Sequence, residues 1–118
     1  MQNSVNTLSL FSGAGGLDIG AIKAGARIIW ANDMMKDACD SYSANIGGHI
    51  CQGDINSHIP SLSQYKGNVD LVIGCPPCQG FSVAGKMDGD DERSKLIWSY
   101  VKVLEVVMPK AFIMENVK

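Results

Sequence analysis

Apolar and polar positions along the chain fall into blocks that predict strands followed by helices. Short apolar runs with the length of buried strands lie at 7–11, 26–31, 49–52, 69–74 and 111–115. Helical spacing of apolar residues predicts helices over 17–24, 34–45 and 94–107. Gly25 and Pro109 follow the first and the last of these as helix-ending residues. This alternation is typical of an α/β fold with a doubly wound, mostly parallel sheet.

Two segments depart from this pattern. We expect 54–67 to be irregular, because Pro60 interrupts any helix there. The segment 80–93 combines glycines with four acidic residues, which predicts a mobile surface loop beside Cys78. Neither segment has the composition of a linker, so residues 1–118 are interpreted as one domain.

Composition narrows the choice of partners. The chain of 118 residues is 46% hydrophobic and carries a formal net charge of -2. Such a charge gives no bulk attraction to nucleic acid, so a polyanion must be held locally or by another chain. Because no apolar run approaches the roughly 18 residues that span a bilayer, and no signal peptide is evident, we expect a cytoplasmic protein without a membrane partner. Its four cysteines are then expected to be reduced.

Three predicted strands end in turns that carry reactive or ligand-binding residues. The strand at 69–74 leads to Cys78, which is interpreted as a presented thiol, the first strand leads to Gly13 and Gly15, and the last leads to Glu115. Because the carboxyl ends of parallel strands meet at one edge of a sheet, we expect these turns to converge on one cleft.

The glycine turn and Asp33 together favour a nucleoside ligand. Gly13 and Gly15 lead directly into a helix, where backbone N–H groups and the helix dipole favour an anionic group. Asp18 stands where a dinucleotide fingerprint has its third glycine, which weakens a pyrophosphate-binding interpretation. Asp33 follows the first glycine by about 20 residues, the spacing at which a carboxylate binds ribose hydroxyls. Alternatively, the glycines only permit close packing of strand and helix.

Cys75 and Cys78 form a Cys-x-x-Cys pair, which in other settings marks a zinc site or a redox centre. Zinc needs four ligands, and the other cysteines and His49 and His58 are scattered, so no metal is predicted. A redox pair leaves the glycine turn and Asp33 unexplained. Both histidines are interpreted as solvated, and the tryptophans and methionines as core residues.

Three segments in this order resemble the first, fourth and sixth motifs of DNA (cytosine-5) methyltransferases. They are Phe11 to Leu17, Pro77 to Ser82, and Glu115 to Val117. The resemblance covers essentially the whole chain, but only the front part of a full enzyme. It implies a Rossmann-like methyltransferase fold, here incomplete, with S-adenosylmethionine as the nucleoside ligand.

The resemblance also implies roles for individual residues. Cys78 is the nucleophile that adds to C6 of cytosine, and Glu115 stabilises or protonates N3. The substrate is further contacted by Pro77, Gln79, Ser82 and Asn116. The cofactor is lined by Phe11, Gly13, Gly15, Gly16 and Leu17, with Asp33 at its ribose and Asp54, Ile55 and Leu96 at its adenine. Met34 stands where many relatives place an aromatic residue that stacks on the adenine.

Other features of the family do not occur in the sequence. They are an arginine-bearing motif, a target-recognition region and a late helix that completes the cofactor pocket. The chain is therefore interpreted as a fragment or one half of a split enzyme of a restriction-modification system. It would act on double-stranded DNA together with a second polypeptide, and we expect no activity alone. The alternatives are a fragment of a tRNA cytosine-5 methyltransferase and a non-catalytic nucleoside-binding module.

Overall fold

The computed structural model describes residues 4–77 and 95–115. In chain order, the elements are β1 (Val5–Leu10), α1 (Gly16–Lys23), β2 (Ala26–Asp33), α2 (Lys36–Asn45), β3 (Ile50–Gln52), α3 (Ile55–Leu62), a 3₁₀ turn (Ser63–Tyr65), β4 (Leu71–Gly74), α4 (Lys95–Val107) and β5 (Ala111–Met114). The strands form a parallel sheet of order β3-β2-β1-β4-β5. The predicted doubly wound sheet is confirmed.

Helices cover both faces of this sheet. Leu8, Leu10 and Val72 are fully buried on the face that packs against α3 and α4. On the opposite face, Ile73 and Tyr42 belong to a smaller cluster formed with α1 and α2. The central strand β1 is therefore enclosed on both faces, as an apolar parallel strand requires.

The helix α3 corrects the expectation that 54–67 is irregular. Asp54 caps its first turn by accepting a hydrogen bond of 2.9 Å from the backbone N–H of Asn56. Pro60 lies inside the helix, where it removes one backbone hydrogen bond. Three apolar side chains spaced for one helical face are buried, namely Ile55, Ile59 and Leu62. Their burial, at about 1.5–3 kcal/mol each, outweighs the loss at the proline.

Tyr100 of α4 attaches the last strand to the sheet. Its ring is fully buried, and its hydroxyl lies 2.7 Å from the carbonyl of Ile113 and 3.2 Å from that of Val72. The hydroxyl therefore bridges β5 and β4. The ring packs over Gly74, where a side chain would collide with it. Burial raises the pKa of Tyr100, so its hydroxyl stays protonated as a donor.

One side of the sheet ends in exposed apolar residues. Within the described residues β5 pairs only with β4, and Phe112 and Ile113 are each about half exposed. Among these residues, β5 is an edge strand whose outer side is uncovered. Trp98 is also exposed, as are Met34, Met35 and Met108, so the interpretation of these four as core residues is wrong. Every helix within the described ranges is too short or too polar to cross a bilayer.

We expect Gly74→Ala to lower the free energy of unfolding by about 1–3 kcal/mol, as overpacking of a core does. The new Cβ would lie 2.5 Å from Cε2 of Tyr100 and 2.8 Å from the carbonyl oxygen of Leu10. Gly20→Ala is the matched control, because nothing lies within 4 Å of its added Cβ. That change should stabilise α1 by about 0.5–1 kcal/mol. Urea unfolding measures both, and equal effects of the two changes would contradict this packing.

Candidate functional site

Two adjoining clefts lie at the carboxyl ends of the strands. The β2 cleft, of about 280 Å³, is lined by Phe11, Asn32, Asp33, Met34, Met35, Gly53, Asp54, Ile55, Cys75, Pro77 and Leu96. The β5 cleft, of about 260 Å³, is lined by Ser9, Leu10, Phe11, Ser12, Gly13, Leu17, Asp18, Gly74, Cys75 and Glu115. Phe11 and Cys75 line both. The ends of β1, β4 and β5 thus meet in one region, as the sequence predicts.

The turn after β1 depends on glycine. Gly13 and Gly15 have φ angles of 58° and 99°, in the left-handed region that other residues rarely adopt. The N–H of Gly15 donates to the carbonyl of Ser12 over 3.0 Å, and Gly15 caps α1. Phe11 also has a positive φ of 52°, an uncommon backbone conformation for a bulky residue, and it lines both clefts.

Asp33 links the glycine turn to the start of α2. One carboxylate oxygen accepts the N–H of Gly13 over 3.0 Å, and the other accepts the N–H of Met35 over 3.0 Å. Each oxygen keeps a second lone pair, so the carboxylate can still accept hydrogen bonds from a ligand in the β2 cleft. The sequence locates Asp33 by its spacing but does not show that it orders the turn.

The remaining wall of the β2 cleft is largely apolar. Met34 follows β2 and is 56% exposed, Ile55 begins α3, and Leu96 lies in the first turn of α4. Asp54 lines the cleft while its carboxylate caps α3. The structure therefore brings these four predicted cofactor residues together beside Asp33.

Asn32 is a residue of the β2 cleft that sequence reasoning missed. It is buried, and its amide donates to the carbonyls of Cys51 over 2.9 Å and Gly53 over 3.0 Å. These bonds join β2 to β3 and to the turn before α3. The signal in the sequence is a polar residue at the end of an otherwise apolar strand.

The β5 cleft contains one of the two predicted catalytic residues. Glu115 directly follows β5, is exposed, and donates its backbone N–H to the carbonyl of Gly74 over 2.8 Å. Gly13 and Leu17 line this cleft, whereas Gly15 and Gly16 lie behind it at the start of α1. Cys75 is half-buried and lines both clefts.

Several predicted residues fall outside the part of the chain that the structure describes. They are Cys78, Gln79, Ser82 and Asn116, together with the expected loop at 80–93. Pro77 is described, is exposed, and lines the β2 cleft directly before Cys78 in the sequence.

A chain of hydrogen bonds, the Asp18 network, runs beneath the glycine turn. The hydroxyls of Ser12 and Ser9 lie 2.8 Å apart, and Ser9 donates to Asp18 Oδ1 over 2.7 Å. The hydroxyl of Tyr42 donates to Asp18 Oδ2 over 2.5 Å and lies 2.8 Å from Nε2 of His49. Asp18 is 1% exposed, and burial raises the pKa of its carboxyl, while the hydroxyl donors and His49 oppose this rise.

This network corrects the interpretation of the histidines. His49 is half-buried and packs its ring edge-on against Tyr42 at 5.3 Å between centroids. His58 is likewise half-buried, with its ring 5.7 Å from that of the buried Trp30. Neither is a solvated loop residue, because each packs beside an aromatic ring. No local pattern in the sequence predicts these contacts.

The strand order, the glycine turn and the acidic residue at the end of the next strand define a Rossmann-like α/β domain with clefts at the carboxyl ends of its strands. Residues 5–118 match the family model of C-5 cytosine-specific DNA methylases, and the chain belongs to this family. Its fold is the Rossmann-like fold of the methyltransferases in that family.

Curated relatives and solved structures agree with this assignment. The chain is 42% identical over 118 residues to the type II methyltransferase M.NgoFVII of Neisseria gonorrhoeae, covering 99% of this chain and 31% of that protein. It is 44% identical over 112 residues to M.FnuDI of Fusobacterium nucleatum, covering 94% and 32%. The Dnmt2 methyltransferase of S. pombe superposes with a TM-score of 0.74 at 27% identity, covering 97% and 36%. The chain thus spans about a third of these relatives.

We expect Asp18→Asn to remove part of the pH dependence of stability. Because burial raises the pKa of Asp18 above its ordinary 3.8, the folded protein binds this proton more tightly than the unfolded chain. The stability that this proton supplies is complete below pH 3.8 and is lost as the pH rises through the higher folded pKa.

Urea unfolding across this pH range measures the effect. The free energy of unfolding of the wild type, minus that of Asp18→Asn, should fall as the pH rises. Asp37→Asn, which changes an exposed carboxyl of α2, is the control and should keep the wild-type slope. If the free energy of unfolding of the wild type, minus that of Asp18→Asn, rises with pH, the raised pKa of Asp18 is contradicted.

Proposed function

We propose that this chain is the cofactor-binding and nucleophile-bearing part of a DNA cytosine-5 methyltransferase of a restriction-modification system. One observation carries the proposal: the glycine turn, Asp33 and Glu115 line two adjoining clefts in a member of this family. The type II methyltransferase names of the relatives favour duplex DNA over tRNA as the substrate.

The β2 cleft fits the adenosine part of S-adenosylmethionine. A ribose needs acceptors for its hydroxyls, which the Asp33 carboxylate supplies. A purine needs apolar contacts on its faces, which Met34, Ile55 and Leu96 supply. The thioether of Met34 contacts a purine by dispersion instead of by aromatic stacking. When bound, S-adenosylmethionine supplies an electrophilic methyl group.

The rest of the cofactor would lie against the turn after β1. By the family resemblance, Phe11, Gly13 and Leu17 contact it, and these three line the β5 cleft next to the β2 cleft. Gly15 acts at the entry to α1, where its φ of 99° and the nearby side chains of Ile46 and Tyr42 leave no room for a Cβ, and Gly16 is the first residue of that helix.

The reaction needs a nucleophile because cytosine C5 is itself unreactive. The thiolate of Cys78 adds to C6 of the ring, forming a carbon–sulfur bond and moving an electron pair toward N3. The carboxyl of Glu115 hydrogen-bonds at N3 and stabilises or protonates it, which leaves C5 electron-rich. After methylation, a base removes the C5 proton, and the electron pair of that bond expels the Cys78 thiolate. Glu115 lines the β5 cleft, beside Cys75 of the strand end that leads to Cys78.

Further polypeptide must cover β5 and hold the DNA. Within the described residues, the outer edge of β5 has no neighbouring strand, and its side chains Phe112 and Ile113 are about half exposed. Flipping a base out of the duplex costs a few kcal/mol. A chain of net charge -2 offers little attraction to phosphates to offset this cost. We propose that the cover for β5 and the contacts to DNA come from the part of the enzyme that corresponds to the unmatched two thirds of the relatives. That part lies in the same chain or in another.

The cofactor assignment predicts that Asp33→Ala weakens S-adenosylmethionine binding by about 10- to 100-fold, since hydrogen bonds to a charged group contribute about 1.5–3 kcal/mol. Asp37→Ala removes the same side chain from an exposed site on α2 and should leave the affinity unchanged. Gly15→Val should weaken binding further, because Gly15 has a φ of 99° and a Cβ there would lie 2.9 Å from Cδ2 of Tyr42. Calorimetry measures all three, and wild-type affinity in both Asp33→Ala and Gly15→Val would refute the pocket.

The catalytic assignment predicts that Cys78 alone is trapped by a mechanism-based substrate. The enzyme for this test is the chain completed by the part of M.NgoFVII that it does not match, incubated with S-adenosylmethionine and a 5-fluorocytosine duplex. We expect a covalent adduct that Cys78→Ser abolishes and Cys75→Ser retains. The reverse pattern would assign the nucleophile to Cys75.

A further inference from the structure

The Asp18 network, formed by Ser12, Ser9, Asp18, Tyr42 and His49, connects the glycine turn to α2. We propose that Tyr42 and Asp18 are positioning residues that fix this turn and thereby set the affinity for the cofactor. The cofactor part of this inference rests on the proposed function. The part that concerns the turn rests on contacts within the described residues alone.

The hydrogen bond from Ser9 to Asp18 ties together the two ends of the glycine turn. Ser9 belongs to β1 and Asp18 to the first turn of α1, so this bond of 2.7 Å joins the two segments that flank the turn. Ser12, inside the turn, is joined to Ser9 by its hydroxyl. The glycines give the turn backbone freedom, and the hydrogen bonds of the Asp18 network limit that freedom.

Tyr42 acts on the turn in two ways. The ring packs beneath Gly15, where an added Cβ would lie 2.9 Å from Cδ2 of the ring. The hydroxyl of the same side chain donates to Asp18 Oδ2 over 2.5 Å. One residue of α2 therefore supports both the glycine that caps α1 and the acidic residue three positions further along.

The direction of the hydrogen bonds follows from counting protons. Tyr42 has a single hydroxyl proton, which it donates to Asp18, so Nε2 of His49 must donate to the oxygen of Tyr42. Ser9 likewise donates its one proton to Asp18, so its oxygen can only accept from the hydroxyl of Ser12, which also lies 3.2 Å from the carbonyl of Ser9. Tyr42 and Ser9 thus both donate directly to Asp18, whose carboxylate accepts these two hydroxyl protons.

This arrangement explains why the hydroxyl of Tyr42 has an effect at the cleft. A carboxylate that is 1% exposed is stable only while donors replace the lost water. When the Tyr42 hydroxyl is removed, Asp18 must take up a proton or turn toward water. Either response alters the first turn of α1 and with it the glycine turn that lines the β5 cleft.

The test uses Tyr42→Phe, which keeps the ring and removes the hydroxyl. Tyr100→Phe is the matched control, because it removes another buried hydroxyl that bonds to β4 and β5 instead of to the turn. Amide hydrogen exchange is followed at Gly15 and Ile19, whose N–H groups bond within the turn and the first turn of α1. Exchange of the amides of β1 in the same sample serves as the reference for global unfolding.

We expect the turn amides of Tyr42→Phe to exchange at least about tenfold faster relative to β1, as the loss of a hydrogen bond to a charged group predicts. S-adenosylmethionine should bind to this variant at least about tenfold more weakly. Tyr100→Phe should lower overall stability with neither effect. If Tyr42→Phe does not fold, Ser9→Ala removes the other donor to Asp18 and should give the same two changes.

The outcomes test the positioning role of the Asp18 network and the proposed function separately. Unchanged relative exchange at Gly15 and Ile19 would overturn the positioning role, whether or not the chain binds the cofactor. Faster exchange with unchanged affinity would reduce the Asp18 network to a structural feature and overturn its role in binding. A wild-type chain completed as for the adduct test that fails to bind S-adenosylmethionine would contradict the proposed function, while the exchange result would still decide the role in the turn.

Discussion

The parallel pairing of β1 with both β2 and β4 is the constraint on which the site depends. It places the carboxyl ends of all five strands at one edge of the sheet, so turns that are far apart in sequence become neighbours. After β1, the chain adds β2 and β3 on one side of it and then β4 and β5 on the other. The helices α1 and α2 cover one face of the sheet, and α3 and α4 cover the other. The two clefts open where this direction reverses.

Two carboxylates hold the turn after β1 from different sides and in different environments. Asp33 lies at the mouth of a cleft, where it organises backbone N–H groups and keeps lone pairs available. Asp18 is enclosed, and its lone pairs are used by side-chain hydroxyls. The same chemical group thus keeps acceptor capacity where water reaches it and provides rigidity where water does not, a difference that follows its burial.

Elements and contacts differ in how far the sequence predicts them. Five strands and three helices follow from local apolar patterns, and Asp33 follows from its distance to the glycine turn. The sequence does not predict helix α3, because Pro60 is a helix-breaking residue within the apolar spacing that forms its buried face. The contact of Tyr42 with Asp18 spans 24 positions, and it forms only because α2 packs beside α1 on the same face of the sheet. No local sequence pattern predicts a contact between residues so far apart along the chain.

Phe11 forms a wall shared by the β2 cleft and the β5 cleft, and its backbone φ of 52° lies in the left-handed region. A molecule that shifts this ring in one cleft changes the shape of the other. The free energies of binding in the two clefts are then linked, and linkage is reciprocal: whatever one ligand does to the affinity of the second, the second does equally to the first. In such an arrangement a single side chain carries the free-energy coupling between two ligands.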